Sequence, residues 1–319
     1  MKKDTYDTII IGGGPAGLAA GLYAQRARMK TALIERAMAG GQVLLTELIE
    51  NYPGFPGGIA GGELMEKMEK QARGIGLEII KDEIAGLKTG EGAGGNRVFY
   101  LRGQAGLEYK ALSVIIATGA HWRRLGVPGE DKFTGRGVSY CATCDGPFFK
   151  DKKVVVVGGG DKAVEEAIFL TKFASEVILI HRRNRLRAVS ILQEALKNQG
   201  KVKLRMESVV SSIEGENAVR AVKIRGVSGG PEKEIACQGV FIFIGIDPNT
   251  GFVKDKIKLD EKGYIITDNE MASSLEGAFA CGDVRKKTLQ QIIVAAGEGA
   301  QAAMNAYRYT DKLKGTAYI

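Results

Sequence analysis

The sequence predicts an α/β protein with two Rossmann-like dinucleotide-binding domains, and three observations predict it. A short apolar strand at Tyr6–Ile11 runs into Gly12-Gly13-Gly14-Pro15-Ala16-Gly17 and then into a helical stretch. The same order recurs further on, where a valine-rich strand runs into Gly158-Gly159-Gly160-Asp161-Lys162-Ala163 and a second helix. Each unit closes on another short apolar strand, as a βαβ fold requires. At 319 residues the chain is long enough for two domains, each with its own core.

The first loop has the G-x-G-x-x-G spacing. Gly12 allows the tight turn, Gly14 lets the backbone approach a pyrophosphate, and Gly17 lets helix and strand pack closely. Pro15 and Ala16 complete the loop, and the helix that follows over Leu18–Arg28 offers unpaired N–H groups at its start to phosphate oxygens. Thr31–Ile34 is the next strand. It ends in Glu35, about twenty residues beyond the loop, where an acid accepts from a ribose hydroxyl. The motif identifies a dinucleotide and does not separate FAD from NAD.

Gly40, Gly41 and Gln42 follow, then a proline- and glycine-rich run around Asn51. Such backbone is irregular. It is either a surface loop or a loop passing close to a ring system, with Gln42 and Asn51 as hydrogen-bonding groups. Gly62–Gly74 reads as a helix and residues 90–96 as a hairpin turn. Leu112–Ile116 is a strand ending in the small residues Ala117, Thr118 and Gly119, which again allow close approach to a nucleotide. Residues 123–129 read as a connector.

Next comes Cys141-Ala142-Thr143-Cys144-Asp145. Two cysteines at this spacing close and reopen a small disulfide ring, and the adjacent acid can carry the proton that thiolate chemistry needs. A structural zinc site wants four ligands, whereas this chain has one spaced pair and two histidines, so no metal is expected. Cys237 and Cys281 lie in apolar strand-like settings and read as small buried side chains. A dithiol beside nucleotide loops raises the question of electron transfer. Hydride carries two electrons together while thiols exchange sulfur–sulfur bonds, and a flavin converts between the two.

In the second loop Gly158, Gly160 and Ala163 take the G-x-G-x-x-A positions. Asp161 follows Gly160, and the helix is expected to carry Glu165 and Glu166 in its first turn. Glu176–Ile180 is the following strand. Where an NAD site would place an acid, this chain has His181, Arg182 and Arg183, with Arg187 shortly after. An arginine forks onto a 2′-phosphate that an acid would repel, so the nucleotide expected is NADPH.

The formal net charge of +8 does not point to nucleic acid. The dense basic cluster is local and suits one phosphate, whereas a duplex needs a long track of contacts. The remaining excess could steer an acidic partner. No apolar run reaches about 18 residues, and the N-terminal apolar stretch stops at Gly12, so neither a membrane span nor a secretory leader is expected. A cytoplasmic location follows as the default.

Taken in order, Gly12–Gly17, Gly40-Gly41-Gln42, CATCD, residues 158–167, the HRRxxxR run at 181–187 and Gly282-Asp283-Val284 resemble the low-molecular-weight, bacterial-type thioredoxin reductase family. The resemblance implies that residues 1–121 and 249–319 form a discontinuous FAD domain, with an NADPH domain carrying the dithiol inserted at 122–248. It implies that Gly282 and Asp283 meet the flavin ribityl or phosphate region and that Gln290, Gln291 and Ile292 line the isoalloxazine. Many members have an arginine where this chain has Gln290. The resemblance further implies a homodimer, thioredoxin as the partner, Cys144 facing the flavin and Cys141 attacking thioredoxin. The same motifs would serve a reductase of another dithiol carrier. Because dithiol and nicotinamide would compete for one flavin face, residues 120–128 and 245–251 are expected to act as hinges.

Overall fold

The computed structural model describes residues 5–46, 49, 51–92 and 95–316, and of Leu45, Thr143 and Cys144 the backbone alone. The chain divides into two units, Met1–His121 with Asp247–Ile319, and Trp122–Ile246.

In chain order the first unit opens with β1 (Tyr6–Ile11), α1 (Pro15–Arg26), β2 (Thr31–Glu35), α2 (Gly61–Gly74), β3 (Glu78–Lys81), β4 (Ile84–Glu91), β5 (Arg97–Gly103) and β6 (Glu108–Ile116). The short β7 (Ala120–Trp122) leads out of it. The second unit contains α3 (Glu130–Phe133), β8 (Val138–Ser139), α4 (Ala142–Asp145), β9 (Lys153–Gly158), α5 (Asp161–Leu170), β10 (Glu176–Ile180), α6 (Ser190–Lys197) and β11 (Val202–Arg205). It continues with β12 (Ser208–Gly215), β13 (Val219–Gly226), β14 (Lys233–Ala236) and β15 (Gly239–Phe243). After β16 (Ile246–Pro248) the first unit resumes with β17 (Ala278–Ala280) and the long α7 (Ile292–Lys314).

The first unit is a sheet in the order β3-β2-β1-β6-β5-β4, with β17 also paired to β6. Strands β3, β2, β1, β6 and β17 run parallel, and β4 and β5 add an antiparallel hairpin. Both faces of the parallel part are covered by side chains, which is why β1 reads as a continuous apolar run rather than an alternating one. Ile10, Leu33 and Ile115 pack on one face against α1 and α7, while Ile9, Ile11 and Ile116 fill the other.

The second unit repeats the plan with a parallel sheet β11-β10-β9-β15-β8 and a three-stranded antiparallel sheet β12-β13-β14. The valines of β9 are buried on both faces. Cys237 and Cys281 are free and fully buried, as their settings in sequence suggested. Burial pushes both thiols up to about 12, far from the thiolate needed for chemistry.

Two helix starts differ from the sequence reading. The first helix begins at Pro15, whose missing N–H costs nothing at that position. The second begins at Asp161 because Gly160 is extended, so Asp161 lies in the first turn and Glu165 and Glu166 fall a turn later.

Candidate active site

The glycines of the first loop are held by different constraints. Gly12 has φ +105°, and a Cβ there would lie 2.4 Å from the Ala117 carbonyl oxygen. A Cβ on Gly17 would lie 1.8 Å from the Gly12 carbonyl oxygen. At Gly14 a Cβ would meet nothing within 4 Å. Gly14 therefore faces open space at the start of α1, whose first turn has no side-chain cap. That is the cradle a pyrophosphate needs, with backbone N–H groups exposed at a helix N-terminus.

Distant segments converge on this loop. Glu35 at the end of β2 accepts the Gly13 N–H at 2.7 Å and the Ala37 N–H at 3.0 Å. The Gly40 N–H donates to the Gly13 carbonyl at 2.8 Å, and Gln42 Nε2 donates to the Ala120 carbonyl at 2.6 Å. The segment at residues 40–42 is thus held against the first loop and the start of β7. Ala117 donates to Ile11, and Cys281 donates to Ile116, bringing Gly282 against Ala16. Asn51 Nδ2 donates to Gln291 Oε1 at 3.0 Å. Gln291 precedes Ile292 at the start of α7, and both it and the adjacent Gln290 are exposed.

Two sets of residues here went unread in the sequence. Asn249 donates its backbone N–H to the Gly119 carbonyl and its Nδ2 to the Thr118 carbonyl, and accepts from Thr118 Oγ1 at its own carbonyl. Its Oδ1 lies 2.7 Å from His121 Nδ1. Glu298, Arg285 and Lys287 form a buried ion network beside Gly282 and Asp283.

In the second unit Gly158 and Ala163 sit so close that a Cβ on Gly158 would lie 2.6 Å from the Ala163 Cβ. Gly160 is the open position of this loop, its nearest neighbour being Arg187 Nη2 at 3.8 Å from a built Cβ. The Gly159 carbonyl accepts the backbone N–H of Arg187 and of Ala188, and Asp161 Oδ1 accepts the Val189 N–H at 2.8 Å. These bonds fold the arginine segment over the loop. Arg182, Arg183 and Arg187 are exposed and make no ion pair among the described residues.

His181 differs from its neighbours. It is buried beneath Gly159, where a Cβ would lie 2.3 Å from its Nδ1. Burial lowers its pKa, and the Arg187 and Arg183 charges push the same way, against hydrogen bonds with the backbone at Gly158 and Arg185. The ring supports the loop as a neutral group and leaves the positive charge to the arginines.

Cys141 is half-buried and disulfide-bonded. Its backbone is pinned by the buried Ser139, whose Oγ accepts the Cys141 N–H at 3.0 Å and donates to the Cys141 carbonyl at 3.1 Å. The Asp145 N–H returns to the Cys141 carbonyl across the short helix α4. The side chain of Cys144 lies outside the described residues.

Two dinucleotide loops and a disulfide in one chain agree with what the chain resembles. Residues 6–299 match the pyridine nucleotide-disulphide oxidoreductase family. The chain belongs to that family. Family membership brings with it the use of a flavin and of NAD(P)H. The residues present fit a flavin dinucleotide, given the open face at Gly14 and the buried Asp283 Oδ1, which has no hydrogen-bond partner among the described residues. Among curated relatives, the thioredoxin reductase of Treponema pallidum is 45% identical over 314 residues, covering 98% of this chain and 100% of that protein. That of Bacillus subtilis is 45% identical over 316 residues, covering 99% and 98%. A crystal structure of Lactococcus lactis thioredoxin reductase, described as its FR conformation, superposes with a TM-score of 0.88 at 43% identity, covering 97% of this chain and 100% of that one. No helix among the described residues is long and apolar enough to cross a membrane.

Proposed function

We propose that this chain is an NADPH-dependent thioredoxin-disulfide reductase, passing electrons from NADPH through FAD and the Cys141–Cys144 pair to oxidised thioredoxin. The observation that carries the reading is the disulfide at Cys141 in the same unit as a dinucleotide loop flanked by exposed arginines. Whole-length relatives of that name support it.

Residues around Gly12–Gly17, with Glu35, Gln42, Asn51, Thr118, Asp283 and Gln291, would hold the FAD. Gly158–Ala163 with Arg182, Arg183 and Arg187 would hold NADPH, the arginines forking onto its 2′-phosphate. When bound, the flavin supplies the conversion of a hydride's electron pair into a reduced dithiol. The chain's own residues do the rest. Cys141, as thiolate, attacks one sulfur of the thioredoxin disulfide and forms a mixed disulfide, releasing a thioredoxin thiolate. Cys144 then attacks Cys141, which frees the second thioredoxin thiolate and restores the Cys141–Cys144 disulfide. Asp145 supplies a proton to a leaving thiolate. Ser139 fixes the backbone of the attacking residue. Access of both dithiol and nicotinamide to one flavin face requires the connecting segments at residues 120–128 and 245–251 to act as hinges. The work is that of a cytoplasmic homodimer.

Anaerobic titration of the yellow protein with NADPH, followed by thioredoxin, tests the reading. Flavin bleaching on NADPH and recolouring on thioredoxin are expected. Cys141→Ser and Cys144→Ser should bleach normally and fail to recolour with thioredoxin. Turnover with a glutaredoxin-like or peroxiredoxin-linked carrier, and none with thioredoxin, would move the assignment to another dithiol partner.

A further inference from the structure

The Cys141 segment is held from two sides. Leading into it, β8 is a two-residue strand at the sheet edge, paired to β15 through Val138 and Ser139. One residue further on, the Tyr140 hydroxyl donates to Glu130 Oε1 at 2.5 Å. Glu130 opens α3 and is only 3% exposed. It accepts two more donors, the Leu125 N–H at 2.9 Å on Oε1 and the Gly126 N–H at 2.7 Å on Oε2. Both N–H groups belong to the connector, so one buried carboxylate joins the connector's far end to the residue before Cys141. Arg124 flanks the cluster: its Nε donates to Tyr140 Oη at 3.3 Å, and its Nη2 lies 2.5 Å from Asp131 Oδ1. Burial, and then the bond to Glu130, pushes the Tyr140 hydroxyl above its ordinary pKa, which keeps it a phenol donor.

A carboxylate this buried is expensive to desolvate, and three converging donors offset that cost. What they fix matters more in one state of the disulfide than in the other. With the ring closed, Cys141 is also tied covalently. On the reading above its partner is Cys144 on α4, a helix anchored by the fully buried Ala142 among Ala163, Ala167 and Leu170 of α5. Opening the ring takes up two electrons and two protons and leaves two thiols. The covalent tie is then gone, and the hold on Cys141 passes to Ser139 and Tyr140.

We propose that Glu130 is a positioning residue for the dithiol: through Tyr140 it keeps the Cys141 segment in place when the disulfide is open, and so favours the reduced state. This rests on the reductase reading above and names what sets the balance between dithiol and disulfide at positions 141 and 144. Removing the strut destabilises the dithiol more than the disulfide, which makes the pair harder to reduce.

The test equilibrates the intact flavoprotein anaerobically with dithiothreitol at graded ratios of its reduced to its cyclic oxidised form, which supplies the electrons and protons. Acid quenching, alkylation and mass spectrometry of the peptide holding residues 141–144 give the dithiol fraction. Tyr140→Phe, which keeps the ring and removes the hydroxyl, is expected to shift the balance about fivefold toward the disulfide, about 20 mV more negative. Glu130→Gln should shift it in the same direction, and adding Tyr140→Phe to it should shift it by less than Tyr140→Phe does alone. Tyr109→Phe is the control. It removes a buried phenol donor in the first unit, 2.9 Å from Asp82 Oδ2, and should lower the melting temperature without moving the balance. An unshifted balance in Tyr140→Phe would overturn the proposal, as would an equal shift in Tyr109→Phe. Should Glu130→Gln not fold, the comparison of Tyr140→Phe with Tyr109→Phe decides alone. These readouts use neither thioredoxin nor NADPH, so failure of the parent protein to reduce thioredoxin would defeat the reductase reading separately.

Discussion

The two glycine loops share a backbone and differ in what stands at the end of the following strand. Around Gly12–Gly17 the strand ends in Glu35, whose carboxylate folds back onto the loop's own N–H groups. Around Gly158–Ala163 it ends in a buried neutral His181 and a set of exposed arginines laid over the loop. The loop geometry supplies affinity for a pyrophosphate in both cases. On the reading proposed above, the charge beside it decides which ribose fits: a free hydroxyl pair beside the acid, a phosphorylated one beside the arginines. On that reading one scaffold serves two different nucleotides because the discriminating groups lie outside the motif that names it.

The largest effects separate glycines needed by the protein from those needed by the ligand. At Gly14 (φ −72°) and Gly160 (φ −92°) the backbone is open to any residue, and an added Cβ has room. At Gly17 it would strike backbone. Gly17→Ala should therefore disrupt the first unit, read as loss of soluble yellow protein or a large fall in melting temperature. Gly14→Ala should leave the flavin-free melting temperature nearly unchanged and weaken FAD by an order of magnitude or more, roughly the cost of overpacking one contact. Gly160→Ala should spare both stability and flavin and weaken only the nicotinamide nucleotide. Equal destabilisation by all three would erase the distinction.

Next in size is the exchange of charge. Charge-assisted hydrogen bonds contribute about 1.5–3 kcal/mol, so Arg182→Ala or Arg183→Ala should raise KM for NADPH by roughly 10- to 100-fold. KM for NADH should hardly move. A smaller effect is expected at Glu35→Gln, which keeps an acceptor for Gly13 but loses the charge, weakening FAD by about tenfold or less. If Glu35→Gln altered nicotinamide preference instead, the assignment of loops to nucleotides would be reversed.

The legibility of these sites in sequence follows from how local their causes are. Glycine spacing and the strand–loop–helix order are set within about thirty residues, so both loops, Glu35 and the arginines could be read directly. Asn249 could not, because its partners Thr118, Gly119 and His121 lie far away in sequence and meet it only in the folded unit. Glu298, Arg285 and Lys287 look like ordinary surface charges; the one hint is an acid set among alanines and glycines on α7. The anchor of Gln42 could not be read either, because its partner, the Ala120 carbonyl, lies far along the chain. His181 reads as a cation beside arginines, and only its burial under Gly159 shows that it carries none.

That burial gives the smallest and most specific difference between the two loops. A histidine whose folded pKa is depressed below its ordinary 6.5 binds its proton more readily when unfolded. Stability from keeping it neutral is therefore complete above about pH 6.5 and is lost as pH falls below that value toward the folded pKa. The carboxylates held low among the described residues, Asp82, Glu176 and Glu214, act in a window below their ordinary 3.8 and 4.5, so they do not mask it. Between pH 7.5 and 5.5 the melting temperature should fall, by roughly a few degrees, and the second unit should account for the fall. His181→Asn should lower the starting value but flatten the slope. An unchanged slope would mean that the ring is charged in the folded protein and belongs with the arginines after all.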